Sequence, residues 1–134
     1  MKEETITATG EAEASIDAAV VLKIAEHYCH AKRKHPYFAD MLFIWDDNDA
    51  EEAKRYLESV RMLLNIERKQ GRVYAETLVN CEVAEVCDSI ARGDNAHAVE
   101  ECYDVIAVLL RMVDVLEGRQ ALGKPKEGAK ERAK

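Results

Sequence analysis

Hydrophobic residues recur along most of the chain at intervals of three and four residues, the spacing of one face of an α-helix. The chain lacks the alternating apolar and polar runs, rich in β-branched and aromatic residues, that are typical of half-buried strands. Ala, Leu, Glu, Lys and Arg are frequent in the periodic segments, and all five residue types favour helices. The pattern therefore predicts an all-α fold.

Glycine and proline are scarce, and their positions divide the chain into four predicted helices. Ser15 is a suitable N-cap for the first helix, and Pro36 prevents that helix from continuing. Gly93 marks a tight turn that joins the last two helices into a hairpin, and Gly118 is suited to the left-handed position that follows the last helix. The predicted helices cover approximately residues 15–33, 46–70, 73–92 and 95–117.

Both ends of the chain are expected to lie outside this helical bundle. Residues 119–134 are basic and almost free of large apolar side chains, so we expect a flexible tail, and we expect residues 1–14 to be flexible as well. A chain of 134 residues has room for one domain of ordinary size, which we place at residues 15–118.

The charge balance excludes several classes of function. The chain has 26 acidic and 19 basic residues and a net charge of −7, which argues against nucleic-acid binding. No run of about 18 apolar residues indicates a membrane span, and residues 1–13 contain four glutamates where a signal peptide would be basic and apolar. The four cysteines form no C-x-x-C pair and are interpreted as apolar fillers. We therefore expect a cytoplasmic protein that does not bind membranes.

Acidic residues interrupt the apolar faces of the predicted hairpin. Glu82 falls inside the apolar arc of the third helix, with Glu85 at its edge, and Glu101 falls inside the arc of the fourth helix, with Asp104 at its margin. A buried carboxylate is costly unless it is protonated, paired or bound to a metal. The alternative is that these side chains lie near the arc edges and extend into solvent.

The register of the turn brings the four acids together. Glu85 and Glu101 lie eight residues before and after Gly93, and Glu82 and Asp104 lie eleven residues before and after it. Because neither arc contains Lys or Arg, a divalent cation is the expected counter-charge. Oxygen ligands favour Mg²⁺ first and Mn²⁺ next. A ferritin-like di-iron site is disfavoured because its Glu-x-x-His pairs are missing.

The two acidic motifs resemble the signature of the MazG-like, all-α nucleoside triphosphate pyrophosphohydrolase superfamily, E-x-x-E on one helix and E-x-x-D on the next. Here they read Glu82-Val83-Ala84-Glu85 and Glu101-Cys102-Tyr103-Asp104, within residues 74–117. The resemblance implies a Mg²⁺-dependent enzyme that cleaves a ribo- or deoxyribonucleoside triphosphate between its α- and β-phosphates. The products would be a monophosphate and pyrophosphate, and the role would be nucleotide-pool cleaning or control.

The resemblance also implies roles for individual residues. The four acids would hold the metal, and either Glu82 or Glu85 would orient or deprotonate the attacking water. Cys81 stands where the family often has a further glutamate, which leaves the number of metal ions open. The segment over residues 36–72 is longer than a minimal member would need, which leaves the substrate open as well.

Basic and aromatic residues outside the acidic motifs are candidates for substrate binding. Phosphate contacts are expected from Arg111, two turns after Asp104, and from a basic run that ends the first helix; Trp45 is a candidate for stacking on a base. The structural alternative for Arg111 is a surface ion pair. For the basic run it is a solvated helix end, and for Trp45 it is packing within its loop. The basic run consists of Lys32, Arg33 and Lys34.

The fourth predicted helix is apolar on more than one side. Ile106, Leu110 and Val115 widen its apolar face beyond a single stripe, so we expect a homodimer or homotetramer that completes the bundle. Two other functions stay open. One is a non-catalytic helical-bundle interaction module that has kept the fold, and the other is an enzyme similar to phosphoribosyl-ATP pyrophosphohydrolase.

Overall fold

The computed structural model describes residues 5–7, 15–41 and 46–119, and they fall into two compact units, Met1–Phe43 and Ile44–Lys134. Within the described residues the predicted all-α class is confirmed, apart from two short strands. None of the described helices is both long and apolar enough to span a membrane. The single domain predicted over residues 15–118 stays a prediction.

The first unit contains a small antiparallel ladder and one long helix. Strand β1 (Thr5–Thr7) pairs with strand β2 (Ser15–Asp17), and helix α1 (Ala18–Lys34) follows β2 directly. The prediction that Ser15 caps the first helix is wrong, because Ser15 lies in the ladder. Asp17 is the N-cap, and its carboxylate accepts a hydrogen bond of 2.8 Å from the backbone N–H of Ala19. A single 3₁₀ turn follows α1, at residues 38–41.

The second unit is built from three consecutive helices, α2 (Asp47–Lys69), α3 (Ala75–Ala91) and α4 (Asn95–Leu116). Helix α3 packs extensively against both α2 and α4, so it occupies the middle position. Gly93 has a φ of 74° in the turn between α3 and α4, the left-handed conformation that glycine adopts without a steric penalty. The predicted hairpin is therefore present.

Side chains cap the N-termini of the described helices of the second unit in two ways. Asp46 and Asp94 accept hydrogen bonds from backbone N–H groups of α2 and α4, at 3.0 and 3.1 Å. Helix α3 has no such cap of its own. Instead, the buried Glu67 of α2 accepts hydrogen bonds from the Tyr74 backbone N–H at 2.9 Å and the Thr77 hydroxyl at 2.7 Å. Glu67 thus ties the start of α3 to the end of α2.

Small residues form the closest helix contacts. Val60 and Leu64 of α2 pack with Cys81 of α3, and Ala84 and Ser89 of α3 are fully buried. The helical periodicity of residues 73–92 places Val83 in the apolar arc of the third predicted helix. This prediction is wrong, since Val83 is 40% exposed. The reason is that α3 has a helix on each side, and such close approaches are filled by small side chains.

Helix α4 keeps large apolar side chains in solvent. Those that are exposed include Val99, Tyr103, Ile106, Leu109 and Leu116. Helix α3 covers only one side of α4, where Ala98 and Glu101 are buried. The predicted apolar excess on this helix is therefore real, and it is uncovered within the described part of the second unit.

Several predictions fall outside the described residues or at their edge. Gly118 has a φ of 74°, as predicted for the position after the last helix. The flexible tail was predicted over residues 119–134, of which only Arg119 is described. Trp45, the proposed stacking residue, lies outside the described residues. Of the N-terminal segment 1–14, the described part is strand β1.

Candidate metal centre

Three carboxylates meet where α3 and α4 face each other. Glu82 and Glu85, one helical turn apart on α3, and Glu101 of α4 each offer one oxygen, and these oxygens lie within 4.8 Å of one another. Metal–oxygen distances are about 2.0–2.6 Å for Mg²⁺ and Ca²⁺, so two oxygens on one ion lie less than about 5 Å apart. The turn at Gly93 sets the register that brings the two helices' acids to the same level.

Glu101 is the most buried member of the cluster, with 8% of the residue exposed. Its Oε1 lies 3.2 Å from Nε2 of His97, one turn earlier on α4, which forms an ion pair when the imidazole is protonated. Its Oε2 is buried and receives no hydrogen bond from any described residue. An unpaired buried oxygen of this kind is costly, and a cation or a bound proton removes the cost.

Two acids of the cluster hold protons more tightly than free carboxylates do. Burial, followed by the neighbouring carboxylates of Glu85 and then Glu82, raises the pKa of Glu101 to about 7. Burial, followed by the charge of Glu85, raises the pKa of Glu82. A metal ion at these oxygens would therefore compete with a proton near neutral pH.

Asp104 stands at the margin of the cluster. It is exposed and is not one of the three residues whose oxygens converge, but its negative charge contributes to the raised pKa of Glu82. Asp104 is therefore close enough to act on the site electrostatically. The register of the turn predicted that Asp104 would converge with the other three acids, and Asp104 lies outside the set of oxygens that converge.

The sequence analysis did not identify the basic residues that face the cluster. The Arg61 guanidinium of α2 lies 3.2 Å from Oε1 of Glu85. A cavity of about 260 Å³ separates α2 from the acids, and Arg61, Asn65 and Arg68 line its α2 side. The spacing of four and three residues places these three side chains on one face of α2, so a helical projection of this segment would have found them.

Cys81 lies directly before the first acidic motif and belongs both to the core and to the wall of this cavity. Its Sγ is 4.0 Å from Oε1 of Glu85. Burial, followed by the charges of Glu85 and Glu82, raises the pKa of the Cys81 thiol. The group therefore stays a neutral thiol, in agreement with its interpretation as an apolar filler.

The remaining candidates for substrate binding are Arg111 in the second unit and a basic run in the first unit. Arg111 is exposed and lines a separate groove of about 340 Å³ that is mostly apolar and runs between the start of α3 and the end of α4. Asp114, three residues after Arg111, pairs with Arg119 at 3.2 Å. The basic run predicted as a phosphate clamp forms the exposed last turn of α1 in the first unit, and it comprises Lys32, Arg33 and Lys34.

The chain was compared with protein-family models, with curated proteins and with solved structures, and none of these comparisons found a match. Three features of the second unit bear on function. These are a convergent acidic cluster, one buried oxygen that no described residue partners, and two arginines on the opposite side of a cavity.

Proposed function

We propose that this protein is a metal-dependent nucleoside triphosphate pyrophosphohydrolase that acts on nucleotides of the cytoplasmic pool. The observation that carries the proposal is the unpartnered, buried Oε2 of Glu101, on a side chain that meets Glu82 and Glu85. A carboxylate cluster of this kind would destabilise an interface between two helices. A divalent cation bound to the carboxylates would neutralise their charge and remove that cost.

Glu82, Glu85 and Glu101 would hold the metal, with Asp104 beside them. Because all the ligands are carboxylate oxygens, Mg²⁺ is the expected ion and Mn²⁺ a substitute. A bound ion of this type polarises a phosphoryl oxygen and neutralises developing negative charge. Its open positions would be available to the oxygens of a triphosphate.

The residues of the chain itself would supply the proton transfer. Either Glu82 or Glu85 would accept a hydrogen bond from the attacking water and take its proton as the bond between the α- and β-phosphates breaks. Both are half-buried, and both face Glu101. The products would be a nucleoside monophosphate and pyrophosphate, as the resemblance of the two motifs implies.

The substrate contacts outside the cluster stay predictions. The groove that contains Arg111 has walls of Leu78, Val108 and Met112, which suits an apolar group better than a triphosphate. Lys32, Arg33 and Lys34 remain candidates for phosphate contacts, and Trp45 remains a candidate for stacking on the base.

The proposal includes self-association as a homodimer or homotetramer. Val99, Tyr103 and Ile106 recur at intervals of four and three residues on α4 and are 49%, 60% and 46% exposed. This is the spacing of a helix face that packs against another helix. A second copy of α4 is a suitable occupant, since it offers the same apolar stripe across a twofold axis.

The decisive experiment is a panel of common ribo- and deoxyribonucleoside triphosphates with Mg²⁺, Mn²⁺ or EDTA, and products resolved by chromatography. The expected result is metal-dependent release of monophosphate and pyrophosphate, abolished by Glu85→Gln. The matched control is Glu76→Gln, which removes an exposed carboxylate from the same helix. Phosphoribosyl-ATP belongs in the panel because an enzyme acting on it would use the same chemistry.

Two results would contradict the proposal. Release of diphosphate and phosphate would overturn the assigned bond cleavage. Turnover of no substrate, together with no cation binding by calorimetry, would favour the non-catalytic interaction module, for which the exposed face of α4 would be the docking surface.

A further inference from the structure

The cavity beside the acidic cluster has one acidic side and one basic side. Glu82 and Glu85 line it from α3, and Arg61, Asn65 and Arg68 line it from α2. We call the three α2 residues the α2 wall. We propose that the α2 wall binds the phosphate chain of the metal-bound substrate, which assigns Asn65 and Arg68 as substrate-binding residues. This inference rests on the proposed function and concerns residues outside both acidic motifs.

Two members of the α2 wall have hydrogen-bond donors that no described residue engages. Among the described residues, none forms a hydrogen bond or an ion pair with the Arg68 guanidinium or the Asn65 amide. Arg61 differs, because it pairs with Glu85. The α2 wall therefore presents free hydrogen-bond donors to the cavity. The opposite side of the cavity carries the acids that we propose to bind a cation.

The dimensions of the wall suit a polyphosphate. Arg61 and Arg68 are seven residues apart, which is two helical turns or about 10 Å along α2. Guanidinium groups bind phosphate oxygens in a bidentate manner, and an amide between them adds a further donor. The cavity of about 260 Å³ admits a short phosphate chain between the wall and the acids.

The Arg61–Glu85 ion pair couples the two sides of the cavity. The Glu85 carboxylate engages Arg61 at 3.2 Å. A cation held by Glu85 would compete for the same oxygens and weaken that pair, which would free the Arg61 donors for phosphate. Phosphate binding should therefore require the cation, because without it the acidic side repels the anion.

Calorimetric titration with inorganic pyrophosphate tests this assignment without any need for turnover. The experiment uses the full chain with saturating Mg²⁺ and, separately, with EDTA. We expect binding only with Mg²⁺, and we expect Arg68→Gln to weaken it at least tenfold. The control Lys69→Gln removes the same charge from the neighbouring exposed position of α2 and should change the affinity less than twofold.

A second variant separates binding from folding. Arg68→Lys keeps the charge but loses the bidentate geometry, so its affinity should lie between those of the wild type and Arg68→Gln. Thermal unfolding of each variant establishes that the folded protein is being titrated. Equal affinities for Arg68→Gln and Lys69→Gln, or no pyrophosphate binding by the wild type, would overturn the inference.

The experiments show which of the two proposals fails, the proposed function or the role of the α2 wall. Pyrophosphate binding that depends on Arg68, with no hydrolysis of any triphosphate, would overturn only the proposed function. Hydrolysis with KM unchanged in Arg68→Gln would overturn only the role of the α2 wall. If both proposals hold, Arg68→Gln should raise KM at least tenfold, and Lys69→Gln should leave it within twofold.

Discussion

At the scale of single residues, Glu101 carries the strongest physical signal in the molecule. It is buried, one of its oxygens has no partner among the described residues, and its neighbours include two further carboxylates. Each of these features opposes ionisation. A folded chain retains such a residue at a cost in stability, and a bound cation offsets that cost.

The raised pKa of Glu101 predicts how stability depends on pH when no metal is present. The folded protein binds a proton more tightly than the unfolded chain, so this contribution to stability is complete below the unfolded pKa of 4.5. It is lost as the pH rises through about 7. We expect urea unfolding in EDTA to show lower stability at pH 8 than at pH 5, by about 2–3 kcal/mol.

The variant Glu101→Gln should remove most of this dependence, because a neutral amide of the same shape gains no charge as the pH rises. It should be the more stable protein at pH 8. A shallower slope should remain, since the pKa of Glu82 is raised as well. Glu100→Gln, at an exposed position next to it, should behave as the wild type. A wild-type stability that does not change with pH would refute this account of the cluster.

At the scale of elements, the site depends on how α3 is held between its two neighbours. Helix α3 has no side-chain cap of its own, and Glu67 of α2 supplies the acceptors for its first turn. The same contact sets the position of α3 relative to α2. The α2 wall and the acidic motifs therefore face each other partly because Glu67 connects the end of α2 to the start of α3.

Glu67→Ala should destabilise the protein by about 2–4 kcal/mol, because it removes two hydrogen bonds and leaves the buried Thr77 hydroxyl without its acceptor. Urea unfolding measures the loss. Glu76→Ala, which removes an exposed glutamate from the first turn of α3, is the control and should cost less than about 1 kcal/mol. Equal losses in the two variants would mean that Glu67 does not serve as the cap.

At the scale of the whole molecule, we expect metal binding to raise the free energy of unfolding. A cation that binds only the folded state adds about 2.7 kcal/mol at a hundred times its Kd, which corresponds to a rise in Tm of about 10 °C for a domain of this size. We expect this rise with Mg²⁺ or Mn²⁺ in thermal unfolding at pH 8. It should shrink at pH 6, because protons compete for the same carboxylates.

Glu101→Gln tests where the cation binds, since the variant keeps the shape of the site but removes one charged ligand. We expect its metal-induced rise in Tm to be lost, while Glu100→Gln should keep it. An undiminished rise in Glu101→Gln would place the cation outside the acidic cluster.

The exposed face of α4 predicts association between copies of the chain. Ile106→Glu places a charge on that face and should shift the protein toward the monomer in analytical ultracentrifugation, without loss of helix content, because Ile106 is already 46% exposed. Ser59→Glu adds the same charge at an exposed position of α2 and should not change the assembly. A wild-type protein that sediments as a monomer would contradict self-association.

Local patterns allowed most of the second unit to be predicted. Asp46 and Asp94 cap helices because a short carboxylate satisfies free N–H groups, and Gly93 turns the chain because it adopts a positive φ. The first unit was less predictable. Ser15 and Asp17 are both good caps, and the pairing of Ser15 with a strand ten residues earlier in the chain decided between them.

The sequence by itself determined the helices of the second unit and the turn between α3 and α4, because each depends on residues close together in the chain. Tertiary structure alone decided which residues of α2 face that cluster, that Glu67 caps α3, and that Val83 lies exposed while Ala84 is buried. These features depend on the rotation of each helix against its neighbours, and that rotation results from close packing across the whole unit rather than from the periodicity of any one helix.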